Sequence, residues 1–160
     1  MAKFPTEIEE SVTVAAPLER VYAYLWDVVG SSRCIPGLDR CENIGPDTYR
    51  FIYKERSTGP VSMTVRYTAR YRGNGTDDIS FEGISASQDN TDVRGQLRLS
   101  GQGDQTRILL KQRFAPDTPV PWLLQSLIRS FVEAEAAGAA RDYLANLRRA
   151  LGAAGRTADA

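Results

Sequence analysis

The chain has no histidine and two cysteines in its 160 residues. Without an imidazole, neither a Ser-His-Asp nor a Cys-His relay can be assembled. Structural zinc takes about four Cys or His ligands, so two thiols do not close a site, and neither a metal nor another cofactor is expected. Charge of one sign is not in excess either. The 20 basic residues meet 20 acidic ones, which removes the uniform field that would recommend nucleic acid as a partner. Long apolar runs are missing as well: "MAKFPTEIEESVTV" holds none of signal-peptide length, and no uncharged stretch nears the ~20 residues that span a bilayer. The expected location is the cytoplasm. Walker, G-x-S-x-G and EF-hand loops are absent, and "GNGTDD" and "GQGDQT" carry two glycines of a dinucleotide fingerprint without the third, which makes them hairpin turns.

What is present suits one soluble domain, with 42% hydrophobic and 25% charged residues. A chain of this length buries about 70% of its unfolded surface. Both cysteines bracket a turn in "CIPGLDRC", residues 34–41. Their spacing is not the C-x-x-C of a dithiol enzyme, and two thiols in or near the core is the reading adopted. Pro36 fixes one turn dihedral and Gly37 supplies a left-handed one after it.

Periodicity places the elements. In "IEESVTV" Ile8, Val12 and Val14 share one face and Glu9, Ser11 and Thr13 the other, the period of a half-buried strand. "APLERVYAYLWDVV" follows as a helix, with Pro17 at its first position and Leu18, Val21, Tyr22, Leu25, Val28 and Val29 at helical spacing. Gly30 is expected to end it, and "SSRCI" to form a short second helix. Six strands then run between residues 38 and 114, parted by "GPD", "GNG", "SQDN" and "GQGD". The clearest is "VSMTVRYTARY", with Val61, Met63, Val65, Tyr67, Ala69 and Tyr71 on one face. A long helix is expected from Pro121 to Leu151, striped by Ile128, Val132, Ala136, Tyr143, Leu147 and Leu151 and widened by Leu124, Leu127 and Phe131, with Gly152 as its cap. Gly138, a costly residue inside a helix, points to close approach of helix and sheet. Residues 1–152 read as a single domain and 153–160 as a disordered tail.

This order calls for a curved antiparallel sheet whose apolar face is covered by the C-terminal helix. Over nearly its whole length the chain resembles the START/Bet v 1-like superfamily, also called SRPBCC. "VAAPLERVYAYLWDV", "CIPGLDRCENIG" and "TGPVSMTVRYTARY" are similar to the subgroup named after one of the subunits of carbon monoxide dehydrogenase, through P-x-x-x-V-[WY], C-[IL]-P-G and G-P-[VI]. The resemblance implies an α+β helix-grip fold. Its curved antiparallel seven-stranded sheet wraps around a long C-terminal helix, with two short helices after the first strand. It also implies a cavity between sheet and helix for a lipid, a quinone or an aromatic polyketide.

The residues expected to line such a cavity are Met63, Val65, Tyr67, Phe81, Leu97 and Phe114 from the sheet, and Trp122, Leu127, Phe131 and Glu135 from the helix. The same residues would also make a filled core. No catalytic constellation is assigned, although Glu135, Glu55 or Tyr67 could do acid or base work if burial shifted a pKa. The opposite sheet face carries Arg50, Lys54, Arg56, Arg66, Arg70, Arg94, Arg98, Arg107, Lys111 and Arg113. That face reads either as a solvated surface or as one for anionic lipid or an acidic protein. Three functions stay open: a carrier of a hydrophobic small molecule, a cyclase- or dehydratase-like enzyme, and a non-catalytic adaptor for a redox enzyme.

Overall fold

The computed structural model describes residues 2–58, 61–84, 86 and 88–159, with the backbone alone for 2, 58 and 153–159. In chain order the elements are β1 (Ala2–Lys3), β2 (Thr6–Val14), α1 (Leu18–Trp26), α2 (Val28–Ser31), a 3-10 turn (Ser32–Cys34), β3 (Leu38–Gly45) and β4 (Thr48–Tyr53). There follow β5 (Arg56–Thr58), β6 (Val61–Met63), β7 (Arg66–Gly73), β8 (Asp78–Ile84), β9 (Thr91–Gln102), β10 (Gln105–Thr118), a second 3-10 turn (Trp122–Leu124) and α3 (Gln125–Asp159). The main sheet is antiparallel and has seven positions, β2-β10-β9-β8-β7-β4-β3, while β1 extends the first position by pairing the far end of β10. This is the helix-grip architecture that the family resemblance implied.

Several boundaries differ from the sequence reading: Pro17 caps α1 instead of opening it, and β10 runs to Thr118, past the expected end at 114. The first helix breaks at Asp27, whose carboxylate accepts from Gly30 N–H at 3.2 Å and so caps a separate α2; Gly30 lies inside α2 instead of ending α1. The strand expected across residues 61–71 is two strands. Asn90 holds the break between them: its side-chain oxygen accepts from Arg66 N–H at 3.0 Å, and its amide donates to the Thr64 carbonyl at 2.5 Å. Past that break β6 leaves the main sheet and pairs with β5 as a detached hairpin. At the C-terminus, α3 begins at Gln125 and keeps helical backbone through Gly152 to Asp159, so Gly152 does not cap it and the expected tail is continuous with the helix.

The core takes up Val14, Val21, Leu25, Leu147 and Leu151 from the faces the pattern marked, and adds Phe51, Ile79, Ile108 and Leu144. These side chains pack between the sheet, α1 and the C-terminal half of α3. Phe4, Val61, Ile128 and Val132 make a smaller cluster under the N-terminal half. Burial of such side chains is worth about 1.5–3 kcal/mol each before entropy is charged against it. The opposite sheet face is mixed in charge: Arg98, Lys111 and Arg113 lie within 3.6–3.8 Å of Asp78, Glu9 and Asp92, as suits a solvated surface.

The cysteine turn is a corner. Gly37 takes φ +75°, the left-handed value, and its carbonyl accepts from Lys54 N–H at 2.9 Å where β3 meets β4. Cys34 is buried and Cys41 half-buried, and both are free thiols. Burial pushes the Cys41 thiol up to about 11, which keeps it protonated and a weak nucleophile. The Cys34 carbonyl accepts from Asn146 Nδ2 at 2.8 Å, so the corner is tied to α3.

Candidate ligand cavity

A cavity of about 190 Å³ lies between the sheet and α3. Strand alternation supplies its sheet wall: on β10 the inward row Leu110, Gln112, Phe114 reaches it, and on β7 the row Tyr67, Ala69, Tyr71 contributes both tyrosines. The helix wall runs from Phe131 to Tyr143, and the space beside it exists because Ala136, Ala139 and Ala140 occupy the intervening turns. Ile35, Pro36 and Gly37 add the cysteine corner to the lining. Gly95 leaves room for the Phe81 ring, since a Cβ there would strike that ring and the Lys111 carbonyl.

The wall is an aromatic array. Phe51 stacks on Tyr67 at 4.9 Å between centroids, Tyr71 stacks on Phe81 at 5.3 Å, and Phe114 meets Tyr67 edge-on at 6.4 Å. The phenolic oxygens of Tyr53 and Tyr67 share a hydrogen bond at 3.2 Å. Burial pushes the Tyr53 phenol up to about 12 and those of Tyr67, Tyr71 and Tyr143 upward too. At neutral pH all four are neutral O–H groups in an apolar wall, able to donate to or accept from a bound oxygen but not to serve as bases.

A family model described as "Polyketide cyclase / dehydrase and lipid transport" matches residues 5–152. The chain belongs to that family. Among curated proteins none matches by sequence. Solved structures share the fold: a protein from Deinococcus radiodurans has a TM-score of 0.64 at 16% identity, covering 93% of this chain and 99% of its own. The Zhui aromatase/cyclase from Streptomyces sp. R1128 gives 0.63 at 18% identity, with 93% and 98% covered. A START superfamily protein from Mycobacterium smegmatis gives 0.62 at 15% identity, with 91% and 96% covered. At such identities the likeness carries the fold alone.

In this member of the family, Met63, Tyr67, Phe81, Leu97, Phe114, Phe131 and Glu135 come together around the cavity. Val65, Trp122 and Leu127 do not. Val65 sits in the β6–β7 break and packs against the main core, while Trp122 and Leu127 are 78% and 63% exposed. Sequence reasoning passed over Phe51, Tyr53, Tyr71, Tyr143 and Gln112, all in the lining. The signal for most was in hand: Phe51 and Tyr53 alternate within "YRFIYKE", Tyr71 shares the face of Tyr67, and Gln112 is a polar residue on an otherwise apolar row.

The acid and base candidates separate clearly. Glu55 is exposed and outside the lining. Glu135 lines the cavity but is half-exposed and ion-paired, its Oε2 2.8 Å from Arg56 Nη2 on β5. Since both partners are partly solvated, that pair marks where the cavity opens to water.

Proposed function

We propose that this domain binds and carries a hydrophobic small molecule between the sheet and α3. The observation that carries the reading is the 190 Å³ cavity, walled by aromatic rings and by phenols that burial keeps neutral. Sites for drug-sized ligands run to about 300–1,000 Å³, so the occupant is small or leaves part of itself outside the Arg56–Glu135 opening. Its chemistry follows from the wall: one or two rings or a short acyl chain, uncharged, with an oxygen for the phenols to meet. A quinone, an aromatic polyketide and a lipid each satisfy this. No described helix is long and apolar enough to cross a membrane.

Native mass spectrometry of the protein as purified from cells, followed by denaturing extraction, tests the proposal. A stoichiometric adduct of that chemistry is expected. A clean unliganded mass, with no thermal shift against a panel of quinones, fatty alcohols and uncharged polyketides, would overturn it.

The Tyr53–Tyr67 pair also favours a second reading, a cyclase or dehydratase that uses a phenol as proton donor. Under it, Tyr67→Phe abolishes turnover of a polyketide substrate while binding persists; the carrier reading expects no turnover in either form.

A further inference from the structure

Three large apolar side chains stand in solvent where α3 begins: Trp122, Leu123 and Leu127, at 78%, 74% and 63% exposure. Scattered exposed leucines are ordinary, but three such residues on one helix end are not. They are not the loose end of an unpacked helix. Pro121 sets an extended entry, its carbonyl accepts from Leu124 N–H at 2.9 Å, and Leu124, Ile128 and Val132 on the adjoining row already pack against Phe4 and Val61. The start of α3 is therefore apolar on two faces, and only one is used within the fold.

The second face leads to the cavity. Leu123, Leu127, Phe131 and Glu135 succeed one another at four-residue spacing, which sets them in a row along the helix. Phe131 and Glu135 line the cavity, so the exposed leucines continue its helical wall past the opening. The charge on the row itself is positive, while at the opening the exposed Glu55 sits between Lys54 and Arg56 and lowers the net charge there. From Thr118 to Val132 the chain holds no acidic residue and one basic one, the exposed Arg129. The first turn of α3 has no carboxylate to offset the positive end of its dipole. Exposed Lys54 and Arg56 stand at the opening, Glu135 is engaged by Arg56, and Glu133 lies on the β2 side of the helix.

We propose that this patch docks on a lipid bilayer surface. Trp122, Leu123 and Leu127 enter the boundary between headgroups and acyl chains, and Arg129 and Lys54 meet anionic phosphates, so that the opening faces the membrane. A Trp ring and flanking cations suit that boundary. The patch is too small for a stable protein partner: a Trp offers about 150–250 Å², and with two leucines the total falls short of the ~800 Å² each side of a lasting interface buries. Docking stands on the patch alone; the exchange of ligand with the bilayer rests on the binding reading above.

The test uses the full chain with vesicles of phosphatidylcholine, with and without phosphatidylglycerol. In a Trp26→Phe background Trp122 is the sole tryptophan. Vesicles containing phosphatidylglycerol should shift its emission to the blue, brominated acyl chains should quench it, and rising salt should weaken both effects. Co-sedimentation of the wild-type chain should fall at least tenfold in the double variant Leu123→Ser, Leu127→Ser, which leaves the packed row untouched. Unchanged emission, or equal co-sedimentation of wild type and variant, overturns the proposal. So does a concentration-dependent dimer that the double variant abolishes, which would assign the patch to a second copy. Native mass spectrometry of the variant separates the two readings: an adduct retained without vesicle binding confines the defect to docking, whereas vesicle binding by a chain with no adduct upholds docking and overturns the cavity.

Discussion

Arg56 Nη2 stands 2.8 Å from Glu135 Oε2, an ion pair that joins the detached β5–β6 hairpin to α3 where the cavity meets solvent. Both side chains are more than a third exposed, so the pair adds at most about 1 kcal/mol to stability. Its effect is on access. Glu135→Gln should leave the urea midpoint nearly unchanged and speed ligand release several-fold, read by displacement kinetics of a fluorescent ligand. A large loss of stability, or unchanged release, would remove the pair from the opening.

Ala136 leaves space that a larger side chain would take. Ala136→Leu should lower ligand affinity at least tenfold while the thermal midpoint holds or rises, because added methylenes fill a void instead of straining a packed core. Isothermal titration beside a melting curve reads both. Affinity retained in a folded variant would place the ligand elsewhere.

The buried phenols set the alkaline limit of the fold. Burial pushes the Tyr53 phenol up from an ordinary 10.0 to about 12 and raises Tyr67 and Tyr71 in the same sense. A folded value above the unfolded one means that the folded chain holds its proton longer. The contribution is thus complete below pH 10 and is lost as pH rises through the folded values. Stability should be level from neutrality to about pH 10 and fall steeply beyond it, and Tyr67→Phe should make that fall shallower. A flat profile through pH 11 would contradict the burial of these phenols.

Gly138 answers to local physics alone. A Cβ at this position would meet nothing within 4 Å, so the close approach expected from the sequence does not occur there. Gly138→Ala should stabilise the protein by about 0.5–1 kcal/mol through helix propensity and a less free unfolded chain. Chemical denaturation measures it; destabilisation would show contact with the sheet after all.

Alternation made most of the sheet legible, and its limits follow from what alternation encodes. Val61, Met63, Tyr67 and Tyr71 keep one parity through the β6–β7 break, so no change of face announces that the strand has divided. The device that divides it, Asn90, lies 24 residues from its bonding partner Arg66 and is invisible to any local pattern. Helical spacing likewise placed Ile128, Val132, Leu147 and Leu151 inside, but an apolar residue at a helix start carries no mark of whether the sheet reaches that far. Leu127 and Trp122 were assigned to the cavity on hydrophobicity, and both stand in water. Tyr143 was seen as part of the stripe without its role in the wall, because depth along the helix depends on the strands opposite.

The bond from Asn146 to the Cys34 carbonyl, beside fully buried Leu147 and Leu151, makes the two ends of the cavity unequal. Near Tyr143 the wall is tied to α3 beside the main core, whereas at Glu135 it is held by a solvated ion pair. Amide hydrogen exchange should show β5 and β6 opening well before residues 141–151. If the cavity carries a ligand, as proposed, traffic is then single-ended. The portion of a ligand that reaches Tyr143 is first in and last out, and a membrane or acceptor can handle only the trailing portion while the rest is still sheltered.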